Sequence, residues 1–143
     1  MRILHFSTED ITGGAAKAAY RLHSALREAG HQSQMVVLHK KSDDDSVVQA
    51  PPAEPRPWTS RFERLRNQIT GLRRVQPVAN YTFNFDLQPQ ADLQSLLTSQ
   101  TEPPEIICLH WITGFLDIKA IRQLYDFFRC PIVWVMADQE PLT

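Results

Sequence analysis

Two adjacent glycines, Gly13 and Gly14, follow a short apolar run and directly precede a pattern of helical spacing. A glycine turn at a helix N-terminus lets backbone N–H groups approach an anion closely, and the helix dipole adds partial positive charge there. Lys17, one turn further on, would add a full positive charge. We therefore predict a phosphate-binding turn here. A plain tight turn and a solvated surface lysine are the alternatives.

Polar side chains also follow two other apolar runs of the chain. His110 and Trp111 stand at the end of EIICLHW, and Asp138 follows PIVWVMA. Together with the glycine turn they would form a rim of backbone amides, one imidazole, one indole and one carboxylate. Each has a structural alternative as well: a histidine bonded to a backbone carbonyl, a core tryptophan, and an aspartate that stabilises a turn.

A cationic stretch lies in the middle of the chain, where six of the fifteen basic residues fall within residues 56–74. It begins with a capping box, Ser60-x-x-Glu63, and continues with apolar residues at helical spacing. We predict an amphipathic helix that carries Arg61, Arg64 and Arg66. Such a helix either meets an anionic membrane surface or a phosphorylated acceptor, or is a solvated helix packed by one stripe.

The cysteines and histidines are not spaced as metal ligands. Cys108 and Cys130 form no CxxC pair and lie in apolar surroundings, so we expect buried, reduced thiols. His5 lies inside a predicted strand, and no ligand spacing links the remaining candidates His23, His31 and His39. We therefore expect no metal cofactor.

The elements that would position these groups are given by the apolar period, which changes between two and 3.6 along the chain. The predicted strands are Arg2–Ser7, Gln34–Leu38, Val47–Val48, Glu105–His110 and Pro131–Met136, with a further strand or extended segment at Asn80–Leu87. Three helices are predicted outside the cationic stretch. The first ends at Gly30 and has on its apolar face Ala15, Ala19, Leu22, Leu26 and Ala29. The second contains Leu93, Leu96 and Leu97, and the third contains Ile118, Ile121, Leu124 and Phe128. Nearly continuous apolar runs favour central parallel strands.

The predicted fold is therefore α/β, a Rossmann-like three-layer α/β/α sandwich with a mainly parallel, doubly wound sheet. Ligands bind such sheets beyond the carboxyl ends of the strands, where the three polar segments would meet. The chain lacks the GxGxxG fingerprint of dinucleotide binding, and His39 follows the second strand where an acidic ribose ligand would be expected. A receiver-like signalling domain is a third and weaker alternative.

Length and charge limit the organisation and the class of partner. A chain of 143 residues fits one domain over residues 1–143, with a proline-rich and basic excursion at residues 51–80. A net charge of -1 argues against nucleic-acid binding. No apolar run approaches the roughly 20 residues that span a bilayer, and no signal peptide is predicted. We expect a cytoplasmic protein, at the inner face of the membrane if the arginine-rich helix is interfacial.

Three stretches resemble bacterial nucleotide-sugar-dependent glycosyltransferases of the GT-B architecture, glycosyltransferase family four. Ile11–Leu26 (ITGGAAKAAYRLHSAL) resembles the first loop and helix of that family. Glu105–Phe115 (EIICLHWITGF) resembles the strand that ends in LHW, and Pro131–Thr143 (PIVWVMADQEPLT) resembles a segment usually written PIVWTLHDMWPFT. In that last segment Ala137 stands where the family carries a histidine, and Glu140 stands where it carries tryptophan.

The resemblance implies an acceptor-side N-terminal domain of a retaining glycosyltransferase that acts in polysaccharide biosynthesis. The donor would be a nucleoside diphosphate sugar used without a metal, and the acceptor a glycan or a lipid-linked glycan. Gly13 and Gly14 would approach the diphosphate, with Lys17 adding charge, and His110, Trp111 and Asp138 would line the acceptor side. The C-terminal Rossmann-like domain of the family would be missing from this chain. The alternative is a non-catalytic GT-B module that has lost the active-site histidine at Ala137 and binds a partner or a glycan.

Overall fold

The architecture is seen in a computed structural model, which describes residues 1–53, 91–99 and 102–136. In this part of the chain the strands are β1 (Arg2–Glu9), β2 (Gln32–His39), β3 (Val47–Gln49), β4 (Ile106–Leu109) and β5 (Ile132–Trp134). The helices are α1 (Gly14–Glu28), α2 (Leu93–Ser99) and α3 (Ile118–Phe128). Each of these elements was predicted from the apolar pattern, with ends that differ by a few residues.

The strands form one sheet in the order β3-β2-β1-β4-β5, and every pair of neighbours is parallel. The order shows that the chain builds outward from β1 through β2 to β3, and then returns to the other side of β1 to place β4 and β5. The parallel, doubly wound sheet of the sequence analysis is confirmed for the described residues. It is an α/β fold of the Rossmann-like kind.

Helices cover both faces of this sheet. Leu4 and Phe6 of β1 pack in one cluster with residues of α2 and α3, such as Leu124. Met35 and Val37 of β2 pack instead with residues of α1. Because alternate residues of a strand point to opposite faces, the two clusters lie on opposite sides of the sheet. The predicted three layers are therefore present.

The buried face of α1 differs from the one predicted. The buried residues are Ala16, Ala19 and His23, whereas Leu22 is 39% exposed. The imidazole of His23 hydrogen-bonds on both sides, to Ser33 Oγ and to Ser46 Oγ, each at 2.8 Å. These two hydrogen bonds hold the face of α1 that carries His23 toward the sheet. A prediction from apolar spacing alone does not include such polar contacts.

The end of α1 follows its predicted residue type, and the start of α3 has a side-chain cap. Gly30 has φ of 84° and donates its N–H to Arg27 O just beyond the end of α1, as the predicted stop requires. At the start of α3 the side chain of Asp117 accepts a hydrogen bond from the N–H of Ala120 at 2.7 Å. Ile118, predicted on the apolar face of α3, is 75% exposed because it occupies the first helical position.

Several predictions fall partly or wholly outside the described residues. They include the arginine-rich helix within the excursion at residues 51–80 and the extended segment at residues 80–87.

Cys108 and Cys130 are buried and free, as expected, and burial raises the pKa of both thiols. In the described ranges we find no helix whose length and apolar character would let it cross a membrane.

Candidate functional site

The candidate site lies at the carboxyl edge of the sheet, between β1 and β4. The chain leaves β1 toward α1 on one face, while β4 leads toward α3, which packs on the opposite face. The two connections therefore diverge at this edge, and open parallel sheets bind ligands at such points. Two segments border this point, Thr8–Gly14 at the end of β1 and just beyond it, and Trp111–Thr113 after β4. We call them the rim.

The first helical turn of α1 faces this edge without a side-chain cap. Its N-cap residue, Gly13, has φ of 84° and ψ of 172° and makes no side-chain capping hydrogen bond, and the first turn contains no acidic residue. Helix N-termini present unpaired backbone N–H groups and partial positive charge. Lys17 is exposed, and its backbone N–H donates to Gly13 O at 3.2 Å. The arrangement is suited to an anion.

Gly13 and Gly14 differ in backbone conformation. Gly13 adopts a backbone conformation that L residues with a Cβ rarely enter. Gly14 is the first residue of α1 and is not among the positive-φ glycines. At both positions the space where a Cβ would stand is free of other described atoms within 4 Å. That space is open to a ligand.

Asp10 anchors the loop on its β2 side. Its carboxylate is fully buried and accepts backbone hydrogen bonds from Ile11 at 2.8 Å, from Lys41 at 3.0 Å and from Ser42 at 2.8 Å. Burial alone would raise the pKa of this carboxyl, but these hydrogen bonds outweigh it and lower the pKa below its ordinary value. Asp10 is therefore an ionised internal anchor that joins the loops after β1 and β2.

Thr8 anchors the same loop on its β4 side. Its backbone N–H donates to Trp111 O at 2.6 Å, and its hydroxyl donates to Thr113 O at 3.0 Å. The two segments of the rim are thus joined directly by hydrogen bonds. Trp111 is 40% exposed, so its indole is neither a core side chain nor fully solvated. An exposed aromatic side chain beside backbone amides suits stacking against a sugar or another flat ligand.

A lysine that the sequence analysis did not single out lies beside the turn. Lys41 Nζ is 3.0 Å from Thr12 Oγ1 and 3.3 Å from Glu9 Oε2. The ion pair with Glu9 is exposed and contributes little stability, but it holds a cation against the loop that leads into Gly13. Together with Lys17 it places two cations near the start of α1, with Glu9 and the buried Asp10 as the nearby anions.

His110 is buried, which the sequence analysis did not predict. The imidazole is only 4% exposed. Its Nε2 is 2.9 Å from Nδ1 of His5, which is fully buried, and the two rings are 5.2 Å apart with an interplanar angle of 15°. A third buried imidazole, His23, meets His5 edge-on at 5.7 Å. In the described residues His110 Nε2 is thus partnered by another histidine rather than by the backbone carbonyl considered as an alternative.

All three imidazoles are electrically neutral at pH 7. Burial, together with the nearby His110 and His23, lowers the pKa of His5 to about 3. Burial also lowers the pKa of His110 to about 4 and that of His23 below its ordinary value. An imidazole that stays neutral offers one N–H donor and one acceptor nitrogen. His110 is therefore suited to hydrogen bonding and unsuited to acting as a general acid near neutral pH.

The remaining predicted site residues lie outside the described part of the chain. These are Ala137 and Asp138 after β5, and Arg61, Arg64 and Arg66 of the basic stretch. The structure therefore brings together Gly13, Gly14, Lys17, His110 and Trp111 at one edge, and it adds Thr8, Asp10 and Lys41 as residues that hold them. In the described ranges no group of three or more histidine, cysteine or acidic side chains is placed to hold a metal ion.

The sequence held only a weak indication of these anchors. Asp10 stands directly after a buried strand and shortly before the glycines, a position where a carboxylate either binds a ligand or ties down a loop. Which of the two it does depends on the N–H groups of Lys41 and Ser42, some thirty residues away.

Comparisons of the chain with protein-family models, curated proteins and solved structures gave no match.

Proposed function

We propose that this chain is the acceptor-side domain of a GT-B glycosyltransferase. In this proposal it works in polysaccharide biosynthesis and helps to transfer a sugar, with retention of configuration, from a nucleoside diphosphate donor to a glycan or lipid-linked acceptor. The observation that carries the proposal is the uncapped N-terminus of α1 at Gly13 and Gly14, at the point of the sheet where the chain reverses its direction of winding. The sequence resemblance supplies the reaction class.

Each rim residue has a part in this reaction that follows from its chemistry. A departing diphosphate develops negative charge, which backbone N–H groups and cations stabilise best when they are already in place. The first N–H groups of α1 would take that charge, with Lys17 and Lys41 beside them. The half-exposed indole of Trp111 would line the acceptor side, together with His110 and Asp138.

The second candidate is a non-catalytic binding module derived from the same architecture. One observation favours it: His110 is engaged by His5 in a buried contact, so this histidine offers a hydrogen bond rather than a group that titrates near neutral pH. The presence of Ala137 in place of the family histidine also favours the binding module. This module would bind a phosphorylated ligand or a glycan without turning it over.

The binding part of the proposal is tested by NMR titration of the isotope-labelled chain with uridine, guanosine and adenosine diphosphates and with inorganic pyrophosphate. A few amides open to water exclude solvent poorly, so we expect a millimolar dissociation constant, about -4 kcal/mol. Shifts should concentrate at residues 12–17. If none of the four compounds shifts these residues at 10 mM, a concentration chosen on the order of ten times that constant, the proposal is wrong.

Gly13 and Gly30 provide a matched pair of variants for this titration. Both glycines have φ of 84° and open space around them, and they lie at opposite ends of α1. Changing either to alanine introduces similar backbone strain, but only Gly13→Ala alters the proposed site. We expect Gly13→Ala to weaken diphosphate binding several-fold and Gly30→Ala to leave it unchanged.

Catalysis is tested separately, by diphosphate release from a panel of donor sugars with an acceptor present. In two-domain enzymes of this class the reacting atoms meet between domains, and orientation accounts for about 7 to 11 kcal/mol of barrier lowering. We therefore expect no turnover by the 143-residue chain alone. Turnover after addition of a second Rossmann-like domain would favour the enzyme, and binding with no turnover in either case would favour the module.

A further inference from the structure

The contact between His5 and His110 determines which nitrogen of His110 carries its proton. One ring nitrogen from each residue takes part, His5 Nδ1 and His110 Nε2, at 2.9 Å. Both imidazoles are neutral at pH 7, and a hydrogen bond at this distance needs exactly one hydrogen between these two nitrogens. Two arrangements satisfy the contact: either His5 donates to His110, or His110 donates to His5.

The surroundings of the other His5 nitrogen decide between them. His5 Nε2 is buried and has no hydrogen-bond partner in the part of the chain that the structure describes. If His110 were the donor, His5 would carry its own hydrogen on Nε2, and a buried N–H would be left without an acceptor. Orphaned buried N–H groups are among the rarest defects in folded proteins. The favoured arrangement has the hydrogen on His5 Nδ1, donated to His110 Nε2.

It follows that the proton of His110 lies on Nδ1, because its Nε2 is an acceptor. We propose that His5 is a positioning residue that fixes His110 in this Nδ1–H form, so that His110 presents a neutral hydrogen-bond donor to an oxygen of a phosphorylated ligand at the rim. The ligand half of this inference rests on the proposed function, whereas the assignment of the proton does not.

The position of His110 in the chain supports a role at the rim. It stands between the last residue of β4 and Trp111, whose carbonyl accepts the hydrogen bond from Thr8. The backbone N–H of His110 donates to Phe6 O, so the residue is held from its main chain as well as from its ring. A donor held by two such contacts loses little conformational freedom when a ligand arrives, which favours binding.

The proton assignment is tested by long-range ¹H–¹⁵N NMR of the chain labelled with [¹⁵N]histidine, at pH 7. We expect His110 to show a protonated Nδ1 and an unprotonated Nε2, and His5 to show the same pattern. A protonated Nε2 on His110 would overturn the inference. His5→Asn keeps an N–H donor near the position of Nδ1, so it should preserve the His110 pattern, whereas His5→Phe keeps the ring volume but removes the donor and should change it.

A chain in which His5→Phe folds and leaves His110 Nδ1–H unchanged would show that His5 does not position it. If His5→Phe fails to fold, the unsubstituted chain and His5→Asn still decide the assignment. A purely structural role for His5 would affect stability in both variants and would not separate them by the tautomer of His110.

The ligand half is tested with inorganic pyrophosphate as the probe. Binding at residues 12–17 should also shift the His110 Nδ1 resonance, and His5→Phe should weaken binding about fivefold, the loss of one hydrogen bond. Pyrophosphate that binds at the glycine turn without moving His110 would overturn the ligand half and leave the proposed function standing. If pyrophosphate does not bind, both that half and the proposed function are contradicted, while the tautomer experiment still decides the role of His5.

Discussion

The buried carboxylate of Asp10 accepts the backbone N–H of Ser42 at 2.8 Å, across the carboxyl ends of two neighbouring strands. This contact connects the loop that leads into α1 with the loop that follows β2. Since Thr8 connects the same loop to the segment after β4, the glycine turn is held from both sides. The geometry of the candidate site therefore depends on residues that would not touch a ligand.

Asp10→Asn should destabilise the fold by about 1 to 3 kcal/mol, because a neutral amide replaces a charged acceptor and turns a donor toward backbone N–H groups. Urea unfolding followed by circular dichroism measures the loss. Asp45→Asn, in the exposed loop before β3, is the control and should change stability by less than about 0.5 kcal/mol. Equal stabilities of the two variants would mean that Asp10 is not the anchor.

Gly14→Ala should leave the fold intact, since Gly14 is helical and its Cβ would meet no described atom within 4 Å. Replacing glycine by alanine at a compatible position stabilises by about 0.4 to 1 kcal/mol through the unfolded chain. The added methyl would nevertheless occupy the space offered to an anion. We expect an equal or higher midpoint of thermal unfolding together with weaker pyrophosphate binding, and unchanged binding would remove Gly14 from the site.

The three buried imidazoles predict a stability that falls in mild acid. Their pKa values are lowered in the folded protein, so the unfolded chain binds more protons, and this contribution is complete above pH 6.5 and is lost as the pH falls toward about 4. Each unit of pKa difference corresponds to about 1.4 kcal/mol, so the loss amounts to several kcal/mol of a total of about 5 to 15. Urea unfolding at intervals from pH 7 to pH 4.5 measures it.

This window is separate from that of the carboxylates. The pKa of Asp44 is lowered to about 2, chiefly by hydrogen bonds from Ser46, so its contribution is present above pH 3.8 and is lost only in stronger acid. His5→Phe should flatten the pH dependence of stability between pH 6.5 and pH 4. A wild-type stability that is constant from pH 7 to pH 4.5 would contradict the neutral cluster.

The basic stretch gives a prediction that depends on the sequence alone. If it meets anionic lipid, each basic residue near the surface contributes about 1 kcal/mol, and salt weakens the attraction. Sedimentation should then show binding to anionic but not to neutral vesicles, and the change of Arg61, Arg64 and Arg66 to glutamine should abolish it. Equal binding to both vesicle types, or none, would return this stretch to a solvated packing role.

The sequence by itself determined the elements and the class of fold. Apolar period and glycine position are local properties, and they placed β1, α1 and the stop at Gly30 within a few residues of where they lie. The nearly continuous apolar runs indicated central parallel strands because both faces of such strands must be covered. The glycine turn was found for the same reason, since a tight turn before a helix needs particular residues in order along the chain.

Only the tertiary structure decided which polar residues meet. Asp10 is an anchor because the N–H groups of Lys41 and Ser42 are brought to it, and His110 is buried because β1 and β4 are neighbours that put His5 beside it. These pairs are 31, 32 and 105 residues apart in the chain. A local sequence pattern does not indicate which residues so far apart will meet. For the same reason the buried face of α1 differs from the one predicted from spacing, because His23 hydrogen-bonds to residues outside that helix. Hydrogen bonds between distant segments depend on strand order, and strand order is a property of the folded sheet.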